Sequence, residues 1–259
     1  VLYLGHIIGK SGMKIPKYYT DIITTWPLPR TLKQLRMFMG KIGYYRKFID
    51  NFSKIASPLY DHMKITNEGK KDLGLQNDEK AVSSFNQLKQ ALANATTLTI
   101  PDFSPGSQFI LDTDFSSLGI SCVLSQKQGP EKLERPIAFA SKRLLANEAK
   151  YSSTRGELLA LVYGVKQFKF YLMCSKFLWR TDNTSLTHIR TMQPPANLEA
   201  RWLETLASFD FEIVHRKGTQ HTNADVLSRI EHSSVLTEKE SKDLHTAPGL
   251  YAIKKKKKT

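Results

Sequence analysis

The chain has 259 residues, 41% of them hydrophobic and 24% charged, with a net charge of +14 at neutral pH and two cysteines. That length and apolar content can fill one or two packed cores and exclude a disordered chain. No apolar run approaches the roughly 18 residues of a membrane span, and Cys122 and Cys174 have no Cys or His partner at metal-ligand spacing, which points to a reducing, intracellular compartment and away from zinc.

Residues 1–15, VLYLGHIIGKSGMKI, pattern as a short hairpin turning at Gly9 to Gly12. The chain opens at Val1 within that strand pattern and so reads as a fragment. After Pro16 the spacing of Tyr19, Ile22, Ile23 and Trp26 predicts a helix that Pro27 and Pro29 stop. Thr31 starts a longer helix with Leu32, Leu35, Phe38 and Met39 on one face, and a third helix ends near Met63. This segment carries much of the charge: residues 1–64 hold eleven Lys and Arg against three Asp, a net +8. The lysines at 254–258 hold five more, as a basic arm or a translated poly-adenosine tract, which leaves +1 for everything between. Basic helices interleaved with Tyr44, Tyr45 and Phe48 suit a polyanion with stackable bases, the bland alternative being a solvated helix face.

Residues 65–77 are polar and contain glycine, which reads as a linker. A helix over 78–95 with Val82, Phe85, Leu88 and Leu92 as its stripe follows. From Gln108 the predicted order is strand 108–114, strand 118–125, strand 135–140, helix 154–173, strand 176–181, helical stretches 184–191 and 196–208, strand 210–215 and helix 222–229. Three adjoining strands followed by helix–strand alternation indicate an α/β fold with a mixed sheet and flanking helices. After Arg229 the composition is polar and patternless and reads as disordered.

Acids recur at one kind of place. Asp114 ends the first of these strands, Glu157 lies in the first turn of the long helix, Asp182 ends the fourth strand, and Asp225 opens the last helix. Each has an ordinary explanation: a turn at Asp114 and at Asp182, a capping box in Thr154-Arg155-Gly156-Glu157, and a helix-dipole partner in Asp225. Four independent coincidences in this strand order are less economical than one carboxylate cluster, and clustered acids need cations, for which Mg²⁺ with its oxygen ligands is the natural choice.

These residues carry a resemblance. The order and spacing of WPLP at 26–29, MGKIGYYRKFI at 39–49, FSKIASPL at 52–59, LTIPDF at 98–103, TDFS at 113–116, VLSQ at 123–126, PIAFASKRL at 136–144, YSSTRGELLALV at 151–162, RTDNTSL at 180–186, FDFEIVHRKG at 209–218 and NADVLSR at 223–229 resemble the C-terminal part of a gypsy-type long-terminal-repeat retrotransposon reverse transcriptase. The resemblance implies a thumb over 1–64 with a primer-grip-like hairpin, a linker and connection helix over 65–106, a ribonuclease H-like domain with a five-stranded mixed sheet over 107–230, and a disordered tail over 231–259. It implies that Asp114, Glu157, Asp182 and Asp225 hold two Mg²⁺ ions, with Mn²⁺ as a substitute, and that His215, or its rival His221, assists product departure. Asp112 receives no catalytic role. Leu4, Gly5, Lys33, Arg36, Lys41, Tyr44, Arg46 and Lys47 fall where the family contacts nucleic acid.

The implied activity is endonucleolytic hydrolysis of the RNA strand of RNA/DNA hybrids. The implied partners are such hybrids and the primer-template duplex, an upstream polymerase palm and fingers that carry the polymerase acids, and a downstream integrase, within a cytoplasmic virus-like particle. The competing reading is a catalytically silent nucleic-acid-binding module of the same fold; an integrase is disfavoured by the NADVLSR ending. Three departures stand out: Phe115 replaces the small residue usual after the first acid, Asn183 stands where the family often has His after the third, and Gly156 sits in a helix's first turn, where it costs up to about 1 kcal/mol relative to Ala.

Overall fold

A computed structural model describes residues 1–64, 67–173, 175–186 and 197–216. The N-terminal pattern folds as an antiparallel meander of β1 (Leu2–Tyr3), β2 (His6–Gly9) and β3 (Gly12–Lys14). Its second turn is the one predicted at Gly9 to Gly12. The first falls at Leu4 and Gly5, where the family resemblance and not the residue pattern set a turn: both adopt positive φ, 44° and 71°, as a two-residue hairpin turn requires.

The helices follow from their caps and stripes. In α2 (Leu32–Tyr44) the Thr31 hydroxyl accepts from Gln34 N–H while the Gln34 side chain accepts from Thr31 N–H, a complete capping box. Its buried face, Leu32, Leu35, Phe38, Met39 and Ile42, contains the stripe expected from the sequence. Asp78 caps α5 (Glu79–Ala93) through Lys80 N–H and Ala81 N–H, and Ala81, Phe85, Leu88 and Leu92 face inward; Val82 is half-buried. With α1 (Lys17–Thr24), α3 (Phe52–Ile55) and α4 (Ser57–His62) these helices enclose one core. Of the stretch read as a linker, Leu73 and Leu75 are buried in that core and Leu73 N–H bonds the Arg30 carbonyl at 2.7 Å. Polar composition hid these two anchors.

The larger sheet has the order β6-β5-β4-β7-β8. Strands β4 (Phe109–Ser116), β5 (Gly119–Gln128) and β6 (Leu133–Arg143) run antiparallel, and β7 (Phe177–Thr181) and β8 (Phe211–His215) lie parallel to β4. The mixed five-stranded sheet is therefore as expected, with longer hairpin strands than the turn residues suggested. The long helix predicted over 154–173 divides at Phe168 into α6 (Ser153–Gln167) and α7 (Lys169–Leu172). The helix predicted over 222–229 lies outside the described residues, as does most of the one over 184–191.

Alternation along the strands gives the sheet two buried faces. Leu111, Cys122, Leu124, Phe177 and Trp179 join α6 and α8 (Asn197–Ala207) in one core. Full burial of side chains such as Phe177 and Trp179 contributes about 1.5–3 kcal/mol each. A Cβ at Gly164 would lie 3.2 Å from Cys122 Sγ and 3.3 Å from Leu111, so α6 lies close against the strands. On the other face Val123 and Phe139 complete the core of the N-terminal helices, and the described residues belong to one compact unit.

Candidate carboxylate site

Two acids of β4 share a face of the strand and have different surroundings. Asp112 is buried and bonded by Arg180 from the neighbouring β7; Arg180 also grips Glu134 with Nη1 at 2.9 Å from Oε2 and Nη2 at 2.5 Å from Oε1, and Ser125 Oγ donates to the same Glu134. Burial raises the Asp112 carboxyl above its ordinary range although Arg180 opposes it, whereas at Glu134 the Arg180 bonds outweigh burial and hold the carboxyl low. Arg216 Nη1 lies 3.7 Å from Asp112 Oδ1. Asp112 is thus a member of a buried ion network, and its acid in a core strand is explained by cations within the fold.

Asp114, two residues on, lies past the last β4–β7 pair but is still paired with Ser121 of β5, with 53% of its side chain exposed and Oδ2 2.5 Å from Lys54 Nζ. Glu157 reaches the same strand end from α6. Its helix is capped by Ser152, whose hydroxyl accepts from Arg155 N–H, so Thr154 does not form the capping box that the sequence allowed and Glu157 is not a capping residue. Instead Glu157 is buried, its Oε1 accepts from Phe115 N–H at 2.9 Å, and its Oε2 is buried with no hydrogen-bond partner. Burial is the main reason that its carboxyl is pushed up to about 8; the Phe115 N–H opposes this, and the charges of Asp182 and Asp114 add to it.

Asp182 follows β7 and is exposed. Thr181 pairs with His215 across β7 and β8, and His215 Nε2–H donates to the Asp182 carbonyl at 3.1 Å. Asn183 Nδ2 donates to Thr154 Oγ1 at 3.2 Å, tying this loop to the first turn of α6. Parallel pairing of β4 with β7 thus brings Asp114, Glu157, Asp182 and His215 to one end of the sheet, while Asp225 and His221 lie outside the described residues. Among the described residues no three His, Cys, Asp or Glu side chains approach closely enough to hold one metal ion. The donor chemistry still fits a hard divalent cation: all-oxygen donors, an unpartnered buried carboxylate oxygen, and mutual repulsion that positive charge would relieve.

Two of the departures noted in the sequence, Phe115 and Gly156, meet in space. A Cβ at Gly156 would lie 2.2 Å from Phe115 Cδ1 and 2.3 Å from Cε1, so the ring occupies the volume that any side chain at 156 would need. Sequence reasoning noticed both positions and missed that each explains the other. It also missed Lys54, which had no local signal.

At the N-terminal end, the Leu4–Gly5 turn is clasped by Tyr44, whose hydroxyl donates to Leu4 O at 2.6 Å, and by Tyr45, which donates to Gly5 O at 3.1 Å. Leu4 and Tyr44 are exposed, as are Lys33, Lys41 and Arg46. Arg36 is exposed but paired with Glu68 at 2.8 Å. Lys47 differs from the others: it is half-buried, donates to Met13 Sδ at 3.2 Å, lies 5.5 Å from the Phe48 ring centroid, and burial lowers its ammonium's pKa.

Residues 78–179 match the family described as an RNase H-like domain found in reverse transcriptase. The match begins at the cap of α5. The Retrovirus-related Pol polyprotein from transposon 297 of Drosophila melanogaster is 34% identical over 229 residues, 88% of this chain and 20% of the relative. That from transposon opus of the same organism is 33% identical over 89% of this chain and 23% of the relative. The Tf2-3 transposon polyprotein of Schizosaccharomyces pombe is 31% identical over 94% and 18%. The chain therefore spans about a fifth of the length of the curated relatives it matches. Among solved structures, the foamy viral protease-reverse transcriptase in complex with RNA/DNA hybrid has the same fold, with TM-score 0.66 and 21% identity over 100% of this chain and 32% of that one. A second structure of that protein, with double-stranded DNA, gives TM-score 0.68 and 22% identity over 84% of this chain and 45% of that one. The chain belongs to the Pol polyproteins of retrotransposons and carries the RNase H-like domain of their reverse transcriptase.

Proposed function

We propose that this chain hydrolyses the RNA strand of RNA/DNA hybrids, with Asp114, Glu157, Asp182 and Asp225 holding two Mg²⁺ ions, or Mn²⁺ in their place. The observation that carries this reading is Glu157, a buried carboxylate with one unpartnered oxygen, facing two further acids delivered by the ends of β4 and β7. When bound, the ions supply an activated water and stabilise the leaving oxygen. The Phe115 N–H fixes one Glu157 oxygen and leaves the other buried and unpartnered. His215 donates Nε2–H to the Asp182 carbonyl, so Nδ1 is the nitrogen that can take up or return a proton beside the departing product.

In the same reading, residues 1–64 form a thumb on which Leu4, Gly5 and Tyr44 meet the sugar and base surface while Lys33, Arg36, Lys41 and Arg46 meet phosphates. Residues 65–106 are the connection and 107–230 the nuclease. The palm, fingers and integrase of the polyprotein would be its covalent neighbours, in a cytoplasmic virus-like particle. Mg²⁺-dependent cleavage of the labelled RNA strand of a hybrid by the whole chain, lost in Asp114→Asn and absent on duplex DNA, is the expected result. Equal cleavage by both proteins refutes the site. Hybrid binding without cleavage by either favours the silent nucleic-acid-binding module.

A further inference from the structure

A lysine of the N-terminal helices reaches the carboxylate site. Lys54 lies on α3 with only 18% of its side chain exposed, and its Nζ is 2.5 Å from Asp114 Oδ2. This is no loose surface pairing, because α3 and α4 are fastened to the sheet around it. Ser53 N–H donates to Ser141 Oγ at 2.8 Å, Ser141 Oγ lies 3.1 Å from Ser53 Oγ, and Arg143 Nη2 pairs with Asp61 Oδ1 at 2.7 Å. Phe52 and Ala56, on either side of Lys54 in sequence, are buried in the core that Val123 and Phe139 complete. A Cβ at Gly119 would come within 3.3 Å of Lys54 Cγ, so the aliphatic stem runs against the start of β5. Asp50, four residues before Lys54 and just ahead of α3, lies near enough for the charges of both this ammonium and Asp114 to act on its carboxyl. Lys54 is therefore paired with one carboxylate, Asp114, and has a second, Asp50, in its electrostatic neighbourhood.

Resting on the assignment of Asp114 to a cation site, we propose that Lys54 is a built-in counter-ion which a divalent cation displaces from Asp114, Asp50 then holding the ammonium. A lysine and a divalent ion repel each other and compete for one carboxylate oxygen. In the metal-free chain the lysine offsets repulsion among Asp114, Glu157 and Asp182. Docking of the N-terminal helices thereby sets the metal requirement of the site, and by linkage metal binding loosens the Lys54–Asp114 contact.

Calorimetric titration of Mn²⁺ into the whole chain tests this without reference to catalysis, alongside thermal melts with chelator and with excess Mn²⁺. Lys54→Gln is expected to bind Mn²⁺ about tenfold more tightly, since a neighbouring positive charge is removed, and to melt lower than the parent only with chelator. Lys54→Arg is expected to bind as the parent does. Asp50→Asn, which removes the ammonium's second partner, is expected to weaken Mn²⁺ binding about threefold and decides the matter should Lys54→Gln lose its cooperative melt. Unchanged or weaker binding by a folded Lys54→Gln, or unchanged binding by Asp50→Asn in its place, overturns the proposal. Asp114→Asn separates the two claims. Full retention of Mn²⁺ binding in that variant removes the site itself, whereas its loss alongside an unaffected Lys54→Gln removes only the role of the lysine.

Discussion

Gly156 and Phe115 make a quantitative test of how this site is packed. Replacing Gly156 with Ala places a Cβ 2.2–2.5 Å from three ring atoms of Phe115, contacts that real side chains do not make. Helix propensity alone favours Ala by about 1 kcal/mol, while overpacking of this kind costs about 1–3 kcal/mol. Because the ring is half-buried and can shift partly into solvent, Gly156→Ala is expected to destabilise by about 1 kcal/mol net, or roughly 2–4 °C in Tm for a chain of this size. Phe115→Ala alone loses ring burial and costs about 1–2 kcal/mol, less than a fully buried Phe. The double variant should be no worse than Phe115→Ala, because the methyl added at position 156 then fills space that the ring vacated, giving a coupling energy of about 1–3 kcal/mol. Urea and thermal unfolding of the four proteins measure the cycle. Additive effects, or stabilisation by Gly156→Ala alone, would refute the packing argument.

Other consequences are equally direct. Arg180→Met strands the buried Asp112 and the half-buried Glu134 and should destabilise by about 3–5 kcal/mol, whereas Asp112→Asn, away from the strand-end acids, should leave the metal-dependent cleavage rate within about twofold of the parent; a larger loss would place Asp112 in the chemistry. Glu148 accepts from Leu145 N–H at 2.9 Å and pairs with Lys142 at 2.7 Å, and although burial opposes them these bonds hold its carboxyl below the ordinary range. A depressed folded value means that its stabilisation is present above the unfolded value of about 4.3 and is lost as pH falls through the folded one. Stability of Glu148→Gln should therefore fall less steeply than that of the parent below about pH 4.5, and parallel curves in a urea series would contradict this. For the N-terminal face, Lys33→Ala and Lys41→Ala should each reduce the slope of log affinity against log salt for a hybrid by about 0.9. Lys47→Ala should instead lower Tm with little change in slope, and a full slope change there would return Lys47 to the binding surface.

Much of the architecture is legible in local signals. The Thr31 capping box, the Leu32–Leu35–Phe38–Met39 stripe and the three strands after Gln108 are periodicities and punctuation that a sequence displays openly. What it concealed depends on contacts between distant segments. Leu73 and Leu75 sit in a polar stretch whose burial is decided by the helices they meet. Thr154 and Glu157 have capping-box spacing, but the N-cap is Ser152, two residues earlier, and the carboxylate turns to β4. Phe115 and Gly156 each look unfavourable alone and are complementary across 41 positions. For the site, strand order alone suggested that Asp114, Glu157 and Asp182 share one end of the sheet; the cation at Asp114, Lys54, is 60 residues away on another subdomain and has no spacing that would reveal it.

The most direct measurement is paramagnetic broadening of backbone amide NMR signals during a Mn²⁺ titration of the whole chain. The amides of Phe115, Gly156, Glu157 and Asn183 are expected to broaden first and together, and Asp114→Asn to abolish the effect at the same Mn²⁺ concentration. Early broadening confined to other parts of the surface, with those four amides untouched, would contradict this expectation.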